Sequence, residues 1–358
     1  MKKIMFVAAT LGGGGAERVM LNLANKMYEK GHSVVVIKTA IEKNPKAIYG
    51  LNPNIEVKKI QSEYQNKIAR IVDKLRKLRC IFKQYPGYTI VSFLPDINIY
   101  SIFASKGLKN KIVVSERNDP NKEPNNSFVR HLRNFSYHMA DYVVFQTFDA
   151  QAYFAKKIRE KSCIIPNPLN LEELPLPNAG REKRNVIIMV CRVKPQKNIE
   201  MMIEAISKFR NAIGDTTVEI YGDGNLYRDR MKEKVSSYGL EDIIKFMDST
   251  NDIYSVMEKS KIYVSTSDYE GISNTMLEAL AIGVPSIVTD CPIGGARMFI
   301  KHNYNGILVP VNDYERLGNE IIRLLNDESL QRQFSANSIA VRNELDLNII
   351  ADKWLKVL

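Results

Sequence analysis

Apolar, strand-like runs alternate with helical patterns along the whole chain, and no other feature restricts the possible folds as strongly. In the first half the runs are Ile4–Thr10, Val34–Thr39, Thr89–Leu94, Ile112–Ser115, Tyr142–Thr147 and Ser162–Ile165. The second half repeats the plan with Asn185–Cys191, Thr217–Tyr221, Ile243–Met247, Ile262–Thr266, Ser286–Thr289 and Ile307–Val309. Helical segments fill the gaps; the one opening near Gly15 carries Val19, Leu21, Leu23, Ala24 and Met27 and stops at Gly31. Such alternation implies parallel sheets covered by helices on both faces. A length of 358 residues exceeds one ordinary core and divides into two such domains.

The expected boundaries follow composition. A first Rossmann-like domain occupies residues 1–168. A linker, 169–184, follows Pro166-Asn167-Pro168 and contains Pro175 and Pro177. The second Rossmann-like domain is expected over 185–340, with a closing segment 341–358 in which Leu347–Leu358 reads as a helix. There is no short-period repeat and no low-complexity tract. Doubly wound domains bind ligands at the carboxyl ends of their strands, so two of them facing one another make a cleft for two substrates.

Charge divides unevenly between the halves. Residues 1–180 hold 28 Lys and Arg against 15 Asp and Glu, whereas the remainder holds 23 against 25. One domain alone therefore calls for an anionic partner, a membrane surface or nucleic acid. The segment Lys67–Lys83 places Ile68, Ile71, Val72, Leu75, Leu78 and Phe82 on one helical stripe flanked by Lys67, Arg70, Lys74, Arg76, Lys77 and Lys83. That pattern fits a basic interfacial helix and equally a surface helix covering its own core. The chain shows no interleaved aromatic pattern for stacking bases, so nucleic acid is not expected as a partner.

No apolar run approaches the ~20 residues that span a bilayer. Lys2-Lys3 before Ile4–Ala9 has the flavour of a signal peptide, but the apolar part is short and runs into Gly12–Gly15, so a first strand is expected. The cysteines, Cys80, Cys163, Cys191 and Cys291, are scattered and match neither a metal spacing nor a disulfide framework, which points to a reducing cytosol. The four histidines form no metal pattern, and no metal or other cofactor is expected.

Glu270 and Glu278 bracket the most informative motif, Glu270-Gly271-Ile272-Ser273-Asn274-Thr275-Met276-Leu277-Glu278-Ala279-Leu280. A strand-like run precedes it, and Gly283-Val284-Pro285 supplies a helix stop. Asn274 is expected to cap the helix. Asn274 and Glu278, four apart, then share one helix face. An anion suits the N–H groups at such a start, and a carboxylate set back from it can accept two hydroxyl hydrogen bonds. A nucleotide carrying phosphates fits that geometry.

This motif, with its Gly-Val-Pro sequel, closely resembles the signature of glycosyltransferase family 4, retaining sugar-nucleotide transferases of GT-B fold. Other segments extend the resemblance over essentially the full length. Cys191-Arg192-Val193-Lys194-Pro195-Gln196-Lys197 resembles the R-x4-K motif of that family, Tyr221-Gly222-Asp223-Gly224 its G-x-G turn, and Gly14–Val19 its first-strand loop. Gly12–Gly15 also invites a dinucleotide reading, but the second strand ends Val36-Ile37-Lys38-Thr39 without the acidic residue a ribose requires. Two departures stand out. Where many relatives place a histidine near the donor sugar, this chain has Glu116 and Arg117. After Asp290–Gly295, where many carry an acid, it has Arg297 and Met298.

The resemblance implies a GT-B fold whose final helix packs back on the first domain, and a hexosyl or HexNAc transferase using a nucleotide-sugar of the UDP series. It assigns Arg192, Lys197 and Glu270 to the reaction, and Gly14, Gly222, Gly271, Ile272, Ser273, Asn274, Thr275 and Glu278 to the donor. Glu116, Arg117 and Asn118 fall on the acceptor side, where Glu116 could meet a hydroxyl and Arg117 a phosphate, or either could form a structural ion pair. Fixed cations and helix N–H groups stabilise a departing diphosphate without a metal. The implied acceptor is a polyprenyl-diphosphate-linked glycan of surface-polysaccharide assembly, met by an enzyme held peripherally on the cytoplasmic face of the cell membrane. A nucleotide-sugar epimerase or hydrolase of related fold, and a basic nucleic-acid binder, are the alternatives.

Overall fold

A computed structural model of the chain describes residues 1–12, 14–40, 50–177 and 183–358. It divides into two units, one of Met1–Pro168 with Leu345–Leu358, the other of Leu169–Glu344. Each is built on a parallel sheet.

The first unit runs β1 (Lys3–Ala8), α1 (Gly15–Glu29), β2 (Ser33–Lys38), β3 (Glu56–Lys59), α2 (Lys67–Gln84), β4 (Thr89–Phe93), α3 (Pro95–Ser105), β5 (Ile112–Ser115), α4 (Ser127–Tyr137), β6 (Tyr142–Phe145), α5 (Phe148–Ala152), α6 (Lys156–Arg159) and β7 (Ser162–Ile164). Its seven strands lie in the order β3-β2-β1-β4-β5-β6-β7. The interior strands are largely apolar, as burial on both faces demands; Ile4, Met5, Phe6 and Val7 of β1 are wholly buried. β3 is absent from the expected strands. It is a four-residue edge strand, Glu-Val-Lys-Lys, with no buried residue and hence no apolar run to announce it.

The second unit runs β8 (Arg184–Val190), α7 (Ile199–Phe209), β9 (Thr217–Tyr221), α8 (Leu226–Ser237), β10 (Ile244–Met247), α9 (Ile253–Glu258), β11 (Ser260–Ser265), α10 (Asn274–Ile282), β12 (Ser286–Thr289), β13 (Ile307–Val309), α11 (Tyr314–Asn326) and α12 (Glu328–Ser338). Its six strands are ordered β10-β9-β8-β11-β12-β13. Residues 169–177 of the expected linker group with this unit, and 178–182 lie outside the described residues.

A short helix, α13 (Val341–Leu345), leads to α14 (Leu347–Val357), which returns to the first unit. Asp346 caps α14 by accepting from the Asn348 N–H. Ile350, Ala351 and Trp354 are buried on its inner face, and the Trp354 ring lies 5.5 Å from that of Phe93. Lys30 pairs with Asp352 at 2.9 Å, and Lys111 Nζ donates to the Val357 carbonyl at 2.8 Å. The final helix packs on the first domain, as the family resemblance implies.

The unit covers helix α2 over only part of its length. Asn66 Oδ1 accepts from the N–H groups of Ile68 and Ala69 and starts the helix. Toward its end Leu78 and Phe82 are buried in the unit, but near its start Ile68 is 73 % and Val72 58 % exposed. One half covers the core, and the other offers aliphatic side chains to solvent among basic neighbours.

Candidate active site

In the second sheet the strand order reverses between β8 and β11, which are paired neighbours. The carboxyl ends of strands at such a reversal are where open α/β sheets bind ligands. The loop leaving β8 carries Arg192 and Lys197, and the loop leaving β11 carries Glu270 through Ser273. Fold and motif therefore converge on one edge.

The two loops are stitched together. The Thr266 hydroxyl donates to the Lys197 carbonyl at 2.8 Å, and the Asp268 N–H donates to the Gln196 carbonyl at 2.9 Å. The Gln196 amide donates to the Tyr269 carbonyl at 2.7 Å. Asn198 takes a left-handed backbone (φ 43°), caps α7 and donates to Asp268 at 2.6 Å. Through this lattice the Lys197 ammonium reaches the Glu270 carboxylate at 2.6 Å, and the Ser267 hydroxyl holds the other Glu270 oxygen at 3.0 Å. Arg192 is exposed beside them.

Glycines bring neighbouring backbones into contact here. Gly222 has φ 140°, and a Cβ on it would overlap the Cys191 carbonyl. The G-x-G turn thus supports the Arg192 loop from below, an arrangement extended by the Val193 N–H donating to the Asp223 carbonyl at 2.8 Å. A Cβ on Gly295, in the loop after β12, would overlap the Gly271 carbonyl. In that same loop Arg297 pairs with Asp290 at 2.8 Å, so the position that departs from the family pattern carries an internal ion pair.

Helix α10 begins one residue from where Asn274 was expected to cap it. Ser273 is the cap, its hydroxyl accepting from the Met276 N–H, and Asn274 is the first helical residue. Both residue types cap well, so composition does not separate them. Thr275 Oγ1 lies 2.9 Å from the Tyr263 hydroxyl and 3.1 Å from that of Ser273. Gly271, Ile272 and Ser273 are buried; Asn274 and Thr275 are partly open. Glu278, one turn on, is only 6 % exposed, and the Tyr254 hydroxyl donates to it at 3.4 Å. Burial pushes the nearby Cys291 thiol up to about 12, with the Glu270 charge adding to the effect, so it stays protonated at neutral pH.

In the first unit the order reverses between β1 and β4. Gly14 ends the loop after β1 and precedes α1, its closest neighbour being the Glu17 carboxylate. Glu116, Arg117 and Asn118 follow β5. Glu116 is drawn inward: it is 1 % exposed, lies 3.6 Å from the Arg133 guanidinium and accepts from the Tyr137 hydroxyl at 3.0 Å. Of its two sequence readings the structure displays the ion pair. Burial raises its pKa to about 7, against the opposing pull of Arg133. Arg117 is also buried, and its Nη1 donates to Asn167 at 2.8 Å. Asn118 is partly open and accepts from the Asp119 N–H at 2.9 Å.

Some contributors carry no sequence signal. Ser267 and Gln196, which set Glu270 and its loop, look like ordinary loop polar residues. Tyr254 meets Glu278 from 24 residues away. Asn198 alone is foreshadowed, as an Asn directly before a helical run.

Comparison with known proteins matches both units. Residues 13–173 match the model of Glycosyltransferase Family 4, and residues 172–341 match that of Glycosyl transferases group 1. The chain is 28 % identical over 364 residues to the GalNAc-alpha-(1->4)-GalNAc-alpha-(1->3)-diNAcBac-PP-undecaprenol alpha-1,4-N-acetyl-D-galactosaminyltransferase of Campylobacter jejuni, covering 100 % of this chain and 98 % of the relative. It is 26 % identical to an uncharacterized glycosyltransferase of Haemophilus influenzae, covering 100 % of both. Among solved structures it is similar to Anabaena HepE in complex with UDP and glucose, with a TM-score of 0.83 over 99 % of each chain at 18 % identity, a likeness of fold.

Proposed function

The chain is a glycosyltransferase, belonging to Glycosyltransferase Family 4 over residues 13–173 and to the group 1 glycosyl transferases over residues 172–341, and from that premise we propose that it transfers a sugar, with retention, from a UDP-sugar to a polyprenyl-diphosphate-linked glycan. The observation that carries this reading is the meeting of the Arg192–Lys197 and Glu270–Ser273 loops at the strand-order reversal of the second sheet.

In this reading Arg192, Lys197 and the start of α10 at Asn274–Thr275 hold the diphosphate. Arg offers forked contact to phosphate oxygens and Lys a point charge, while the helix start adds oriented N–H groups. Gly222, Gly271, Ile272 and Ser273 bring backbone close to the nucleotide. Glu278 receives the ribose hydroxyls, and Glu270 contacts the donor sugar. As the bond from the anomeric carbon to the β-phosphate oxygen breaks, charge grows on the diphosphate, and groups already fixed in place stabilise it without reorganising. The acceptor hydroxyl attacks from the same face and passes its proton to the departing phosphate oxygen. That course requires no protein nucleophile and no metal.

Arg117 and Asn118 are assigned to the acceptor, while Glu116 is turned inward to Arg133 and Tyr137. The lipid-linked class is supported by the activity of the Campylobacter relative, aligned over this whole chain. It is supported also by the basic surplus of residues 1–180 and the exposed Ile68 and Val72 of α2. Attraction of about 1 kcal/mol per basic residue near an anionic leaflet holds such a domain reversibly at the membrane.

The test is product analysis. The purified chain is given a panel of UDP-sugars with and without a polyprenyl-diphosphate-linked oligosaccharide, in EDTA. Transfer with retained anomeric configuration is expected. Free sugar or an epimer without acceptor, an inverted product, or dependence on manganese would overturn the corresponding part.

A further inference from the structure

Among the described residues, three nitrogen donors in the interior of the first unit lack an acceptor: Arg117 Nε, Arg117 Nη2 and Trp354 Nε1. They belong to one stack. The Arg117 guanidinium carbon lies 4.1 Å from the centre of the Phe93 ring and 5.5 Å from that of Trp354. Arg117 is 8 % and Trp354 0 % exposed. The guanidinium makes one hydrogen bond, from Nη1 to Asn167 Oδ1 at 2.8 Å, and that oxygen also accepts from Gln146 Nε2 at 2.6 Å. The carboxylate nearest in sequence, Glu116, is turned to Arg133 instead.

An isolated buried cation is costly, because it loses hydration and receives no counter-charge. Two aromatic faces offset part of that cost but accept none of the N–H bonds. Arg117 and Trp354 lack acceptors, which an oxyanion would supply, while the unbonded Glu116 Oε1 belongs to the carboxylate turned to Arg133. The stack lies where β4 and β5 end, beside the strand-order reversal of the first sheet, where ligands of such sheets bind. Nε and Nη2 are buried and unbonded, so a phosphate entering among these side chains would find one edge of the fork open to two parallel bonds.

We propose that Arg117, lying against the packed rings of Phe93 and Trp354, is a phosphoryl receptor in the first unit and takes a phosphate group of the acceptor. The receptor follows from the stack itself; only the identity of the molecule that brings the phosphate rests on the function proposed above. Trp354, from α14, is a positioning residue that keeps the fork in place.

Trp354 is the only tryptophan in the chain, so its emission reports this site directly. Pyrophosphate is titrated into the full chain with UDP already saturating, which occupies the phosphate groups of the second unit. A saturable change in emission is expected, weakened about 10- to 100-fold in Arg117→Gln, the loss typical of charge-assisted bonds. An identical titration in Arg117→Gln, or an equal response to chloride at the same ionic strength, would overturn the receptor. Arg117→Lys keeps the cation under both rings and so guards against loss of folding. In turnover it is expected to raise KM for the lipid-linked acceptor about tenfold while leaving KM for the UDP-sugar unchanged. A rise confined to the UDP-sugar would assign the group to the donor and overturn the acceptor claim. Pyrophosphate binding without any transfer would retain the receptor and overturn only the proposed activity.

Discussion

Lys197 and Glu270 leave the ends of different strands, yet their charged groups meet at 2.6 Å. Their side chains are 13 % and 22 % exposed, so each limits where the other can point. In the proposed function, a donor diphosphate entering beside Lys197 would compete with Glu270 for the ammonium and free a Glu270 oxygen for the sugar. Replacing Arg192→Ala and Lys197→Ala together is expected to lower kcat by about 10²–10³-fold, the usual loss on removing fixed transition-state charge. The melting temperature should fall by only a few degrees, because Arg192 is exposed. Wild-type turnover in the double variant would remove both residues from the reaction.

Glu278 sits one turn into α10, nearly buried, with Tyr254 on one oxygen. If it receives the ribose, Glu278→Ala removes a charged acceptor of two hydroxyl bonds. UDP affinity should drop about 10- to 100-fold by calorimetry. Tyr254→Phe, which removes a long bond to that carboxylate, should change it little. Unaltered UDP binding in Glu278→Ala refutes the ribose role.

Gly222→Ala and Gly295→Ala test whether the loops must be packed as closely as they are. Each added methyl overlaps a carbonyl oxygen, of Cys191 in one case and Gly271 in the other. The backbone has to move, carrying Arg192 or the Glu270 loop with it. Both variants are expected to lose at least tenfold in kcat/KM and to melt several degrees lower, overpacking commonly costing about 1–3 kcal/mol. Full activity with either substitution would show that the spacing between loops does not matter.

How much of this was legible beforehand depends on where the information resides. The parallel sheets are, because strands buried on both faces must be apolar runs; β3 is not, because an edge strand of Glu-Val-Lys-Lys looks like surface. The motifs after β8 and β11 are legible as residue types, and the edge of the sheet they share follows from doubly wound topology. Contacts are another matter. Whether Arg117 or Glu116 finds a counter-charge is decided by Arg133, Phe93 and Trp354, brought together only by packing. The stripe on α2 likewise shows one face, but not where along the helix the core stops covering it.

Glu116 makes the stability of the fold depend on pH. Its pKa is raised from the ordinary 4.5 to about 7, burial outweighing the Arg133 charge and the Tyr137 hydrogen bond, with Glu123 also raising it. Between those values the folded chain binds more protons than the unfolded one, so this group's contribution declines as pH rises through the window. Glu116→Gln should flatten the pH dependence of stability from about 4.5 to 7 by on the order of 2 kcal/mol, read from urea unfolding at several pH values. An unchanged slope would mean that the carboxylate is ionised throughout.

Ile68 and Val72 lie one helical turn apart at the start of α2, both largely exposed, with Lys67 and Arg70 beside them. Aliphatic side chains in that position gain by entering the headgroup boundary of a bilayer, and the lysines and arginines gain by meeting anionic lipid. Because neither Ile68 nor Val72 is buried in the unit, Ile68→Ser with Val72→Ser should leave the melting temperature within about 2 °C, as surface changes usually do. Sedimentation with phosphatidylglycerol vesicles should nevertheless fall severalfold, and in the wild type it should also decline with added salt as the charges are screened. Undiminished sedimentation of the double variant would leave α2 as a covering helix only, and the membrane contact would have to be sought elsewhere on the basic unit.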